Sequence, residues 1–307
     1  MKALVFGSYV ADLMSRSPRL PQNGETVKGS FFKMGPGGKG FNQCVAAHKA
    51  GASVSMCTKI ARDSFGEVAL RAMEELRMPQ DNILYSAQTA TGIALIMVDE
   101  HTSENKIVIV PGACAEITKE EIDALEPVLK DCEYLLLQLE VNQDANEYVV
   151  ELARRNHCRV ILNTAPFAPI SDTFLGSMWL VTPNEHEAEE LSGVAVSDLD
   201  SARQAAAYFH SKGVENVIIT LGAKGVFLST PEGSEILPAY HVDAIDTTGA
   251  GDAFNGGMLA ALTEGKSLRE AALFGNATAA LSVQKLGTTP SMPLRKEIDA
   301  FIKEHRS

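Results

Sequence analysis

The chain has 307 residues, of which 45% are hydrophobic, 21% charged and 6% aromatic. That composition supplies a sizeable core and excludes a disordered, collagenous or coiled-coil chain. Lys and Arg number 27 against 39 Asp and Glu, a net charge of −12, which excludes a general nucleic-acid or anionic-membrane binder and leaves any anionic substrate to local positive features. In chain order, short apolar runs predict strands over 3–7, 54–60, 134–139, 159–162, 179–182, 216–220 and 225–228. Several are apolar almost throughout, as strands buried on both faces must be. Helical patterns alternate with them over 40–50, 66–77, 144–155, 185–191, 201–212, 251–263, 268–284 and 294–305. In 201–212, for example, Ala202, Ala205, Ala206 and Phe209 recur at helical spacing. This alternation predicts an α/β fold with a mostly parallel sheet covered on both faces.

Two inserts break the pattern. Residues 91–98 and 106–110 read as a hairpin around a polar turn containing Glu100, Ser103 and Asn105. Residues 20–34, after Pro18, read as extended. Together the inserts, about 10–34 and about 90–112, are expected to form a small sheet acting as a lid on a single domain spanning 1–307. The cysteines Cys44, Cys57, Cys114, Cys132 and Cys158 are odd in number, with no C-x-x-C pair, and read as reduced core thiols of a cytoplasmic protein. The N-terminus reads as a first strand rather than a signal peptide, and no run of 18 apolar residues predicts a membrane span.

Two glycine-rich segments carry the chemistry. The first, Gly35-Pro36-Gly37-Gly38-Lys39-Gly40-Phe41-Asn42, opens a helix and formally matches G-x-G-x-x-G, with Asp63 downstream. A dinucleotide fingerprint follows the first buried strand directly, and this segment does not; a Walker A loop needs Ser or Thr after the Lys, where Gly40 stands. What remains is close backbone approach to a ligand, with Lys39 and Asn42 as donors suited to a small polyol. The second segment is Asp246-Thr247-Thr248-Gly249-Ala250-Gly251-Asp252. Its small residues leave the N–H groups of a helix start open to an anion. Asp252 in the first turn can accept the proton of an attacking hydroxyl while a phosphoryl group is held in line. A plain turn, and a carboxylate that merely complements the helix dipole, are the structural alternatives.

These segments together resemble the ribokinase-like carbohydrate kinases (the PfkB family) over the whole chain. Further matching residues are Gly7-Ser8 with Asp12, Gln138-Leu139-Glu140, Thr182-Pro183-Asn184-Glu185 with Glu187, and Thr220-Leu221-Gly222. The resemblance implies a three-layer α/β/α fold with a mostly parallel sheet and a small β-sheet lid. It implies that Asp12, Gly38, Lys39, Asn42 and Glu140 hold sugar hydroxyls, with Asp252 as general base. The N–H groups of Gly249, Ala250, Gly251 and Asp252 would form the anion hole. ATP would lie along Asn184, Thr220, Gly222, Gly225, Gly251 and Asn276. Asn184 and Glu187 would hold Mg²⁺ largely through water, although Asn followed three residues later by Glu is equally a capping box. A K⁺ site is implied at Asp246, Thr248, Ser282, Lys285, Gly287 and Ser291. His186, beside the capping box, reads as solvent-facing.

One position departs from the pattern. The family's ribose kinases carry Asn two residues before the sugar-binding Asp, where this chain has Val10. An apolar wall there suits a sugar lacking a hydroxyl, unless Val10 only packs; Tyr9 and Phe41 also border the pocket. The resemblance therefore implies transfer of the γ-phosphoryl group of ATP to O5 of D-ribose, with 2-deoxy-D-ribose, another furanose or a nucleoside as the alternative. A catalytically silent sugar sensor is disfavoured by the intact Asp252 and Lys39, and an oxidoreductase by motif placement. Ile93, Leu95, Met97, Ile107 and Ile109 give the lid an apolar face, from which a homodimer through the lid is expected.

Overall fold

In the computed structural model, residues 2–102 and 104–305 are described. Nine strands lie side by side in the order Gly233–Leu237, Val226–Thr230, Asn216–Thr220, Leu180–Val181, Arg159–Leu162, Tyr134–Leu137, Ala3–Phe6, Val54–Ala61 and Ile83–Ser86. Pairing is parallel from Asn216–Thr220 to Ile83–Ser86 and antiparallel in the other two strands. The parallel strands are apolar because both sheet faces are covered. In Ala3–Phe6, Ala3 and Val5 enter a core shared with Phe41, Met258 and Leu259, whereas Leu4 and Phe6 enter a second core with Val149, Ala205 and Phe209. The first core carries the helices Lys39–Lys49, Ala250–Thr263 and Leu268–Ser282; the second carries Gln143–Arg155 and Leu199–Ser211.

The small sheet is four-stranded, in the order Phe31–Gly37, Val10–Ser17, Thr91–Asp99, Asn105–Gly112. The expected hairpin is present, with Ile96 paired to Ile107; Ser103, in its turn, lies outside the described residues. The extended reading of 20–34 holds as a paired strand only from Phe31. Its partner Val10–Ser17 and the strands Ile83–Ser86 and Gly233–Leu237 were not marked by apolar runs, because each is either only four residues long or mixes apolar with polar residues. The predicted strand 134–139 ends at Leu137, which releases Gln138 from the ladder and sends its amide into the interior. Asp63 turns out to be a helix cap: its carboxylate accepts from Gly66 N at 2.8 Å and Thr91 N at 2.9 Å. All five cysteines are free and buried. Among the described residues no helix is long and apolar enough to cross a membrane.

Candidate active site

Each central parallel strand ends in a polar residue. Ser8 follows Ala3–Phe6 by one residue, Gln138 follows Tyr134–Leu137, Asn163 follows Arg159–Leu162, Thr182 follows Leu180–Val181, and Thr220 closes its own strand. Ligands of open α/β sheets bind beyond the carboxyl ends of the strands, and both glycine-rich segments converge there. Asp252 stands in the first turn of the helix Ala250–Thr263 and is 6% exposed. Its Oδ2 accepts from Asn42 Nδ2 at 3.1 Å and its Oδ1 from Gln43 Nε2 at 2.9 Å. Burial pushes this carboxyl above its ordinary range, while the Lys39 ammonium and the two amides act in the opposite sense.

The helix start behind Asp252 is open. Gly249 takes the left-handed conformation (φ 77°), and no side chain caps the helix. Ala250 N donates to Thr247 O at 3.1 Å, whereas the N–H groups of Gly249, Gly251 and Asp252 have no acceptor among the described residues. Of the four donors expected for an anion, three are available and that of Ala250 is used. A Cβ on Gly251 would meet nothing within 4 Å, whereas one on Gly249 would come within 3.2 Å of Thr288 Cγ2, so the helix start is open at Gly251.

The sugar-side residues gather across the glycine turn. Glu140 Oε2 accepts from the Ser8 hydroxyl and, at 2.9 Å, from Lys39 N. Gly38 adopts φ 92°, and a Cβ there would come within 2.9 Å of Ser8 O. A Cβ on Gly37 would overlap the Asp12 carboxylate, so Gly37 makes room for that side chain. Val10 is 5% exposed. With Ser8, Ile109, Leu139, Glu140 and Pro166 it lines a cavity of about 290 Å³ between the two sheets. A larger cleft of about 420 Å³ runs beside Arg62, Tyr85 and Gln88, but none of the expected site residues lines it. Asn42 is committed on both ends: its Oδ1 accepts from Thr289 Oγ1 at 3.1 Å while its amide faces Asp252.

Asp12 is pushed up to about 7 from 3.8, first by burial and then by the Glu140 charge. The folded protein therefore holds a proton that the unfolded chain has lost, and between pH 4 and 7 this group makes stability fall as pH rises. Asp12→Asn, which buries no charge, is expected to gain melting temperature relative to the wild type across that interval. Parallel melting curves at pH 5 and pH 7.5 would show the gap widening; a constant gap would contradict the burial argument.

On the far side, Asn184 and Glu187 do form the capping box. Glu187 N donates to Asn184 Oδ1 at 2.8 Å, Asn184 N to Glu187 Oε2 at 3.0 Å and Asn184 Nδ2 to Glu187 Oε1 at 2.9 Å. Thr164 Oγ1 also donates to Glu187 Oε2, at 3.0 Å. Among the described residues no three His, Cys, Asp or Glu side chains gather as a metal centre. His186 is exposed, as expected. Thr220 bridges to Asn184, tying the capping box to the strand end that leads to Gly222. A Cβ on Gly225 (φ 101°) would reach within 2.5 Å of Ala239 N, and Asn276 Nδ2 donates to Pro238 O at 3.1 Å, so both secure the same 237–239 turn.

The loop expected to hold a monovalent cation folds against Asp246, whose carboxylate accepts from Thr248 N and Gly287 N, each at 2.9 Å. Burial opposes the charge, but these hydrogen bonds hold Asp246 below the usual carboxylate range. Ser282 and Ser291 donate to Ala279 O and Thr288 O, and Lys285 pairs with Glu297, so these side chains are satisfied locally. Sequence reasoning missed Gln43, Asn163, Thr182, Asn255 and Thr289 as site residues. Each is a neutral polar residue; Thr182 stands in the Thr182-Pro183-Asn184-Glu185 match and Asn255 just past the second glycine-rich segment, but none of the five had a role, and burial in the fold singles them out.

An open helix start facing a buried carboxylate, at the carboxyl ends of a parallel sheet, is the arrangement of a phosphoryl-transfer enzyme. The chain belongs to the pfkB family of carbohydrate kinases, whose pattern residues 1–295 match. It is 42% identical over 299 residues to a ribokinase of Haemophilus influenzae, with 97% of each chain covered. It is 34% identical over 307 residues to a deoxyribokinase of Salmonella typhi, covering 98% of this chain and 99% of that one. Its fold matches an Arabidopsis thaliana ribokinase complexed with ribose and ATP at a TM-score of 0.91 and 29% identity, with 98% of each chain covered.

Proposed function

We propose that this carbohydrate kinase transfers the γ-phosphoryl group of ATP to the O5 hydroxyl of D-ribose. The observation that carries the reading is Asp252 itself: a buried carboxylate in the first turn of a helix whose start is uncapped and open at Gly251. In this reading Asp12, the Glu140 carboxylate, Lys39 and the backbone at Gly38 orient the sugar, and Asn42 acts mainly through Asp252. Asp252 takes the proton of the attacking hydroxyl as the new O–P bond forms and the bond to the β-phosphate oxygen breaks. The N–H groups of Gly249, Gly251 and Asp252 meet the charge that spreads over the phosphoryl oxygens. ADP leaves along Thr220, Gly222, Gly225 and Asn276.

The capping box fits a hydrated divalent ion better than a directly ligated one, because all Glu187 oxygens already accept hydrogen bonds. Mg²⁺ held there through water by Asn184 and Glu187 would neutralise phosphate charge. The Asp246 turn and the 282–291 loop would hold K⁺ mainly through main-chain oxygens, since their side chains are satisfied locally. The small sheet acts as a lid over the sugar, excluding water from the transfer. The free thiols favour a cytoplasmic setting.

A second reading, 2-deoxy-D-ribose as substrate, is favoured by Val10. It presents an apolar wall to the cavity that Glu140 shares. ADP release with ATP, Mg²⁺ and K⁺ discriminates the two. A preference for ribose of about tenfold or more supports the first reading, and equal or better use of 2-deoxyribose the second. Activity with neither would overturn both and point to another furanose or a nucleoside.

By strand register Phe32, Leu95 and Val108 share one side of the small sheet and are between 44% and 66% exposed, an apolar face that a second copy of the small sheet would cover, whereas Ile107 and Ile109 lie on the opposite side from Ile93, Leu95 and Met97. A dimer mass in solution is expected at micromolar concentration, and Phe32→Asp is expected to yield monomers. A monomeric wild type would remove this assembly from the proposal.

A further inference from the structure

Gln43 lies beneath the site and is 0% exposed, so it cannot touch a substrate. Its carboxamide nevertheless uses every hydrogen-bonding position but one lone pair. Oε1 accepts from Gln138 Nε2 at 2.6 Å, and Nε2 donates to Asp252 Oδ1 at 2.9 Å and to Asn163 Oδ1 at 3.0 Å. A primary amide has two N–H groups and one carbonyl, so this set admits one orientation. Turned over, the Gln43 carbonyl would face two oxygens and its amide would face the Gln138 amide.

The chain of contacts continues beyond Gln43. Asn163 Nδ2 donates to Thr182 O at 2.9 Å, Thr182 Oγ1 to Asn255 Oδ1 at 2.7 Å, and Asn255 Nδ2 to Gly251 O at 2.9 Å. It thus begins at the Asp252 carboxylate, crosses the ends of two central strands and closes on the peptide that precedes Asp252. Every side chain in it is 6% exposed or less. Gln138 is held in turn: its Oε1 has no donor among the described residues and packs against Gly7, where a Cβ would come within 3.2 Å of Gln138 Cδ.

We infer that Gln43 is a positioning residue for the phosphoryl transfer: as the junction of this buried amide chain, it fixes the Asp252 carboxylate in the orientation that receives the substrate proton. The inference rests on the reading of Asp252 as proton acceptor. The groups that face Asp252 are few. Asn42 and Gln43 donate to it from the helix Lys39–Lys49, Lys39 attracts its negative charge, and Glu140 opposes it from across the site. With Gln43 removed, one carboxylate oxygen loses its donor in a buried place, where an unpaired charge is costly and protonation or rotation relieves it.

The test compares Gln43→Leu and Gln43→Glu with Asp252→Asn and the wild type, measuring kcat and both KM values from pH 5.5 to 9. Gln43→Glu keeps the shape and turns an oxygen toward Asp252. Both Gln43 variants are expected to lose kcat by about 10- to 100-fold, with each KM within about twofold. In Gln43→Glu the acid limb of kcat is expected to move upward by about one pH unit or more. If Gln43→Leu does not fold, Gln138→Met withdraws the donor that orients Gln43 and is expected to move kcat in the same direction. A wild-type kcat and acid limb in the Gln43 variants, beside an inactive Asp252→Asn, would overturn this inference alone. Near wild-type kcat in Asp252→Asn would overturn the base reading and this inference with it.

Discussion

Asp252→Asn is expected to lower kcat by about 10²- to 10⁴-fold, the range over which a positioned general base contributes. The side chain keeps its size, so packing in the first turn of Ala250–Thr263 is preserved. What disappears is the acceptor for the hydroxyl proton. The open N–H groups of Gly249, Gly251 and Asp252 remain, as does the cavity shared by Val10 and Glu140, so sugar and nucleotide should still bind. The measurement is ADP release at saturating sugar and ATP, with binding of each followed separately by calorimetry. A kcat within tenfold of wild type would show that the hydroxyl loses its proton without Asp252, as a loose transition state with little proton transfer would allow. Loss of sugar binding instead would place Asp252 among the sugar ligands.

Gly256→Ala is expected to destabilise the protein by about 1–3 kcal/mol, as overpacking of a well-filled core does. The position lies one turn beyond Asp252, where the helix Ala250–Thr263 crosses Lys39–Lys49. A Cβ there would reach 2.5 Å from Gln43 O and 2.7 Å from Ala47 N. Both neighbours are backbone, so the helices themselves must separate. At roughly 2–4 °C per kcal/mol for a chain of this order, the melting temperature should drop by several degrees. Activity should drop further than residual stability explains, because the two helices carry the two halves of the site: Asn42 and Gln43 on one, Asp252 on the other. A variant that loses melting temperature but keeps kcat would mean that the Asn42–Asp252 and Gln43–Asp252 contacts tolerate the shift.

The two glycine-rich segments were legible because a close backbone approach leaves few residue choices. Gly38 at φ 92° and Gly249 at φ 77° take conformations that side chains resist, and Gly37 and Gly40 leave no room for a Cβ. The capping box at Asn184 and Glu187 was legible for a different reason, since its partners are three residues apart. The small sheet was half legible: the hairpin stood out by two apolar runs around a polar turn, whereas Val10–Ser17 did not, being a strand whose residues are mostly half-buried. The buried amide chain was not legible, although Gln138 stands in the Gln138-Leu139-Glu140 match. Gln43 lies in a helix while Gln138 and Asn163 each follow a different strand, 95 and 25 residues apart in sequence, and nothing local shows that the three meet.

The sequence by itself therefore determined the layers of the fold, the two glycine-rich segments and the carboxylate proposed to act as base. Periodicity, glycine sterics and helix-end electrostatics act over a few residues and leave their mark locally. The tertiary structure alone decided how that carboxylate is held, which of the N–H groups lack an acceptor, and that Val10 and Glu140 line one cavity. Hydrogen bonds between side chains remote in sequence depend on the register in which strands and helices meet. That register is set by packing across the whole sheet, where no short segment carries a record of it.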